Sequence, residues 1–151
     1  MVTPARASIR RQLRIRHPAD EVWALVGDPT RLHEWFPGVT ACEVDGDTRV
    51  ITTGSGIPMP EQLLTIDPLQ RRFQYRITAP LFKEHLGTID VIDLGDRTSL
   101  VVYGTDADPA TLALVIGGAT GPALANLADL LDRSAPTGHG APSHEPAHAV
   151  T

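Results

Sequence analysis

A chain of 151 residues with 42% apolar residues can bury one core, and its single cysteine, Cys42, excludes a disulfide scaffold or a cysteine-built metal site. A net charge of -5, with the arginines read as scattered singly along strands, gives little electrostatic support to nucleic-acid binding. Met1 to Ser8 lacks the apolar core of a signal peptide and no apolar run approaches the ~20 residues of a membrane span, so a cytoplasmic protein without membrane insertion is expected.

Ser8 to Arg16 alternates, with Ile9, Leu13 and Ile15 on one face and Arg10, Gln12, Arg14 and Arg16 on the other; Arg11 is the exception on the apolar side. That is the pattern of a half-buried strand. Pro18 suits a first helical turn, Asp20 and Glu21 suit its positive end, Val22, Leu25 and Val26 form a buried stripe, and Gly27 is read as a left-handed stop. Asp28 and Pro29 predict the cap and first position of a second short helix carrying Leu32, Trp35 and Phe36, which Pro37-Gly38 ends.

Strands then follow at hairpin spacing: Thr40 to Val44, Arg49 to Thr53, Glu61 to Ile66, Arg72 to Thr78, His85 to Ile92 and Ser99 to Thr105. Asp45-Gly46-Asp47, Asp67-Pro68 and Gly95-Asp96 separate them with residues that supply or preset turn dihedrals, so neighbours are antiparallel. Phe73, Tyr75 and Ile77 share one face. For the next two strands one register turns His85, Gly87, Ile89, Val91, Val101 and Tyr103 inward, while Leu86, Ile92, Leu100 and Val102 permit the opposite one.

Pro109 to Arg133 returns to helical spacing through Leu112, Val115, Ile116, Leu124, Leu127, Leu130 and Leu131. Gly117-Gly118 and Gly121-Pro122 interrupt it, since glycine costs about 1 kcal/mol and proline about 3 kcal/mol against alanine within a helix. Two outcomes fit: one helix weakened or kinked where small residues leave room for a ligand, or two helices with a capped turn at Thr120. From Ser134 the composition predicts a disordered tail, in which His139, His144 and His148 are not preorganised as metal ligands. The domain is therefore expected over residues 1–133 and the tail over 134–151.

The element order predicts an α+β fold: an antiparallel curved sheet of six to seven strands wrapped around a long C-terminal helix, with two short helices after the first strand. Arg14-Ile15-Arg16-His17-Pro18-Ala19-Asp20-Glu21-Val22-Trp23-Ala24-Leu25-Val26-Gly27-Asp28, with Trp35-Phe36-Pro37-Gly38-Val39, Pro60-Glu61-Gln62-Leu63 and Arg72-Phe73-Gln74-Tyr75-Arg76-Ile77, resembles the START-like, Bet v 1-like (SRPBCC) superfamily. Within it the chain is similar to the bacterial polyketide cyclase/dehydrase and lipid-transport group, over about Ser8 to Arg133. The resemblance implies a helix-grip fold around an apolar cavity. Members bind lipids, sterols or polyketides, and some cyclise, aromatise or dehydrate them. These are fold-pattern residues, so fold transfers better than activity.

Chemistry in such a cavity needs a base, a donor for an enolate oxygen and apolar walls. His85 is the candidate base because it is the histidine on a predicted inward strand position; Tyr75 or Tyr103 is the donor, and Glu61 orients the histidine or acts as an acid. Each also has a plain structural reading, as a hydrogen-bonded strand histidine, core tyrosines with edge hydroxyls, or an outward glutamate. Trp35, Phe36, Met59, Phe73, Ile89, Ile116 and Gly118 are the candidate ligand wall, opening near Gly54 to Pro60. No cofactor or metal is expected: Gly54-Ser55-Gly56 precedes no helix, no serine has nucleophile-elbow context and no histidine pair has zinc-helix spacing. Two functions fit, a cofactor-independent cyclase, aromatase or dehydratase and a noncatalytic carrier or sensor of an apolar ligand. A third, an interaction domain with a filled core, fits less well because Gly87, Gly104 and the helix glycines thin that core. A monomer or homodimer is expected.

Overall fold

The computed structural model describes residues 5–135. Seven strands, β1 (Ala7–Ile15), β2 (Val39–Asp45), β3 (Thr48–Thr53), β4 (Pro58–Asp67), β5 (Arg72–Ile77), β6 (Glu84–Gly95) and β7 (Thr98–Asp108), form one antiparallel sheet in the order β1-β7-β6-β5-β4-β3-β2. From β2 onward each strand pairs with the next, as the turn residues require. β1 instead joins β7, so the segment between β1 and β2 travels from one edge of the sheet to the other. That segment holds helix α1 (Ala19–Val26), and the chain closes with helix α2 (Ala110–Ser134).

Burial along β6 and β7 selects the first of the two registers: His85, Gly87, Ile89, Val91, Val101, Tyr103, Thr105 and Ala107 are buried and their neighbours are not. α2 lies over this face against β1 and β7 through Ala113, Gly117, Thr120, Ala123, Leu124, Leu127 and Leu131. α2 is a single helix, so the two-helix alternative falls. Pro122 removes one internal hydrogen bond, but the buried leucines that follow each gain about 1.5–3 kcal/mol and outweigh it. Thr120 caps nothing: its hydroxyl donates to the Gly117 carbonyl at 3.0 Å within the helix.

Several local expectations are corrected. Gly27 is right-handed, with φ -76°, and its lack of a side chain answers a packing need, because a Cβ there would lie 2.5 Å from the Trp23 ring. The second short helix is a single 3₁₀ turn, Leu32–Glu34; Asp28 does not cap it but accepts from the Thr30 amide and hydroxyl at 3.0 and 2.6 Å. Gly38 then reverses the chain with φ +77°. The arginines are not wholly scattered, since Arg14, Arg16 and Arg97 line one outer cleft together with Asp96 and Thr98. α2 is, by length and composition alone, apolar enough to cross a membrane, contrary to the reading of the bare sequence, although here its buried stripe is seated on the sheet. The tail and its three histidines lie outside the described residues, apart from Ser134 and Ala135 at its start.

Candidate functional site

Between the concave face of the sheet and α2 lies a cavity of about 430 Å³. Leu32, Phe36, Ile51, Met59, Ile77 and Ile116 are among the side chains that make its walls, and the exposed residues Gly54, Ser55, Leu81 and Val115 form its rim. The opening thus falls at the β3–β4 hairpin and the first turns of α2. Against this apolar lining stand three buried polar groups, Glu61, Tyr75 and Tyr103.

Glu61 faces inward from β4, directly across the ladder from Arg49 of β3. Arg49 Nε donates to Glu61 Oε1 at 2.7 Å, with both side chains 2% exposed. A second guanidinium nitrogen donates to the Pro29 carbonyl at 3.3 Å, and the guanidinium carbon sits 5.3 and 5.2 Å from the ring centres of Phe73 and Tyr75. Burial pushes the Glu61 carboxyl above its ordinary value, and Arg49 offsets part of that rise. Arg49 was not foreseen as a site residue. The signal was present: it shares strand parity with buried Ile51 and stands opposite an inward glutamate.

Tyr75 and Tyr103 join hydroxyl to hydroxyl at 2.5 Å. The ring of Tyr75 occupies space that Gly87 opens on β6, where a Cβ would lie 2.4 Å from it. Burial, chiefly, raises both phenols above the usual tyrosine value, so they serve as neutral donors rather than bases.

His85 is inward and 2% exposed, but it does not line the cavity; its ring neighbours Tyr75 and Phe82, 5.5 and 5.3 Å away between centres, do. Its Nδ1 accepts from the Ile77 amide at 2.9 Å, which commits the lone pair of that nitrogen and leaves the ring hydrogen on Nε2. Burial lowers its pKa to about 4. The expected proton acceptor therefore has no free lone pair, and Glu61, expected to orient it, hydrogen-bonds Arg49 instead.

Of the candidate wall, Phe36, Met59 and Ile116 line the cavity. Trp35, Phe73 and Ile89 are buried at 2%, 1% and 2% in the core and do not line the cavity. Gly118 is exposed, on the face of α2 turned from the sheet, and Gly117 serves close packing, since a Cβ there would lie 2.6 Å from Ile9 Cγ2. Gly117 and Gly118 therefore open no space in the cavity. Among the described residues no three histidine, cysteine or carboxylate side chains are grouped as a metal would need.

A curved antiparallel sheet gripping one long helix over an apolar cavity defines a START-like helix-grip protein. The chain belongs to the polyketide cyclase/dehydrase and lipid transport family, whose model matches residues 6–132. Solved structures agree on the fold. A protein of Thermobifida fusca is 29% identical with a TM-score of 0.73, over 83% of this chain and 93% of its own. A START superfamily protein from Mycobacterium smegmatis is 12% identical with a TM-score of 0.70, over 83% and 97%. The di-domain ARO/CYC BexL from the BE-7585A biosynthetic pathway is 19% identical with a TM-score of 0.71, over 83% of this chain and 46% of its own. Comparison with curated proteins finds no match.

Proposed function

We propose that the cavity binds a small hydrophobic, aromatic or polyketide-like metabolite and promotes its cyclisation, aromatisation or dehydration without a cofactor. The observation that carries this reading is one carboxylate and a bonded pair of phenols exposed to an otherwise apolar cavity. Membership of the family, and the fold shared with an aromatase/cyclase, support it.

Glu61 takes the proton from a carbon beside a substrate carbonyl; the C–H pair moves into the carbonyl, and the tyrosine pair hydrogen-bonds the oxygen as negative charge develops there. The enolate carbon then attacks a second carbonyl held against it by the walls, and the protonated Glu61 returns its proton to the new alkoxide. His85 acts behind the wall as a support for Tyr75 and for the end of β5. We propose further that the protein works in the cytoplasm, as a monomer or homodimer, on a small molecule rather than on nucleic acid.

Mass spectrometry of ligand retained through gentle purification supplies the substrate class. With that compound, Glu61→Gln should lower turnover by about 10²-fold or more while binding stays within a few-fold, because general-base contributions have that size and binding rests on apolar area. Unchanged turnover by the folded variant would remove Glu61 from the chemistry. The second reading, a carrier or sensor, is favoured by one observation: Arg49 already neutralises the one carboxylate among the polar groups at the cavity wall. Return of the retained ligand unaltered after long incubation would support that reading.

A further inference from the structure

The polar groups facing the cavity can be followed hydrogen by hydrogen. Tyr75 and Tyr103 each carry one hydroxyl hydrogen, and the bond between them uses one. The other has no acceptor among the described residues, on side chains that are 3% and 0% exposed and that both line the cavity. A donor without an acceptor therefore belongs to the cavity wall. Beside it stands Glu61, and the guanidinium that balances Glu61 is not part of the cavity wall: Arg49 bonds Glu61 and Pro29, lies by the rings of Phe73 and Tyr75, and keeps its remaining nitrogen buried without a partner behind them.

A ligand entering this end meets a hydrogen-bond donor and a negative charge. A carbonyl satisfies the donor at no electrostatic cost. A carboxylate of the same shape would satisfy the same donor but would be buried beside a second anion, with no cation among the lining residues to pair with it. The rim adds no compensating charge, being built from glycine, serine, leucine and valine at the positions named above.

We infer that the deep end of the cavity selects neutral ligands bearing a ketone or quinone-type oxygen and excludes carboxylates, fatty-acid-like ligands included. This rests on the reading of the cavity as a ligand site and narrows it to one chemical class.

Three probes of matched shape test it near neutral pH by fluorescence titration of the full chain: 2-acetylnaphthalene, 2-naphthoate and 2-ethylnaphthalene. The ketone should bind at least about a hundredfold tighter than the carboxylate, the scale set by burying an unpaired charge. Replacing both phenols together, Tyr75→Phe with Tyr103→Phe, keeps the shape and leaves no orphaned partner; it should weaken the ketone about tenfold and leave the hydrocarbon unchanged. Glu61→Gln should strengthen 2-naphthoate at least about tenfold, because Arg49 then lacks its counter-charge. If that variant does not fold, Arg49→Gln with Glu61→Gln removes both charges and should narrow the gap between ketone and carboxylate in the same direction. Binding of 2-naphthoate within a few-fold of the ketone by the wild-type protein, while the hydrocarbon also binds, overturns this inference alone. Failure of all three probes to bind overturns the ligand-site reading as well.

Discussion

The ring of His85 does work that its sequence context does not disclose. The β5–β6 ladder pairs Arg72 to Tyr75 with Asp90 to Gly87 and then stops, although two further residues would set Ile77 opposite His85. The Ile77 amide donates to the imidazole instead. Where a ladder ends is a tertiary outcome, so strand parity placed His85 inward correctly and could not tell that its lone pair was spent. The same parity placed Tyr75 and Tyr103 on the wall through the alternation of β5 and β7, whereas Glu61 was left open to either face, because β4 carries a register shift between Leu63 and Thr65 and does not alternate cleanly. A testable consequence concerns acid. The folded-state pKa of about 4 lies below the ordinary 6.5, so the unfolded chain binds the extra proton first. Stability is full above 6.5 and falls as pH drops from there to about 4, by roughly 3 kcal/mol from this group. Urea unfolding across that window should show the loss in the wild-type protein and a flatter profile for His85→Gln, whose amide oxygen can still accept from Ile77; equal slopes would refute it.

Adjacent glycines on α2 separate packing from propensity. A Cβ on Gly117 would lie 2.6 Å from Ile9 Cγ2, whereas one on Gly118 meets nothing within 4 Å. Gly118→Ala should therefore stabilise the fold by about 0.5–1 kcal/mol, the ordinary helix gain. Gly117→Ala must shift Ile9 or lift α2 from β1, and should destabilise by about 1–3 kcal/mol despite the same gain. Thermal unfolding of the two variants decides it, since opposite signs are required. At this scale the sequence was legible where period and turn chemistry agree: seven strands, α1 and the returning helix of α2 all follow from them. It was less legible between Asp28 and Gly38. There the spacing of Leu32, Trp35 and Phe36 satisfies one 3₁₀ turn followed by an irregular buried segment as well as it satisfies a helix, and only packing against β2 distinguishes them. α2 stayed continuous through Pro122 because burial of its stripe against β1 and β7 outweighs local propensity, a balance that no window of sequence contains.

Over the whole molecule, ligand binding and stability are linked by mass action. At a hundred times its dissociation constant, 2-acetylnaphthalene should stabilise the folded protein by about 2.7 kcal/mol, and the double phenylalanine variant should gain less at the same concentration. A thermal shift that is the same for both proteins would separate the stabilisation from the phenol pair.

The two ends of the domain are fixed at opposite poles. The Ala110 amide donates to the Ala5 carbonyl at 2.9 Å, so α2 begins where β1 begins, and His17 Nε2 bonds Asp132 at 2.7 Å, so α2 finishes where β1 finishes. From Ala110 to Asp132 the helix rises about 33 Å, which sets the spacing between those poles. Tension applied to the two ends of the domain must therefore run along β1, and its nine paired positions with β7 are loaded together in shear rather than parted one after another. Single-molecule extension along that line should register one abrupt rupture as β1 slides from β7, at higher force than when the same strand is peeled from its edge.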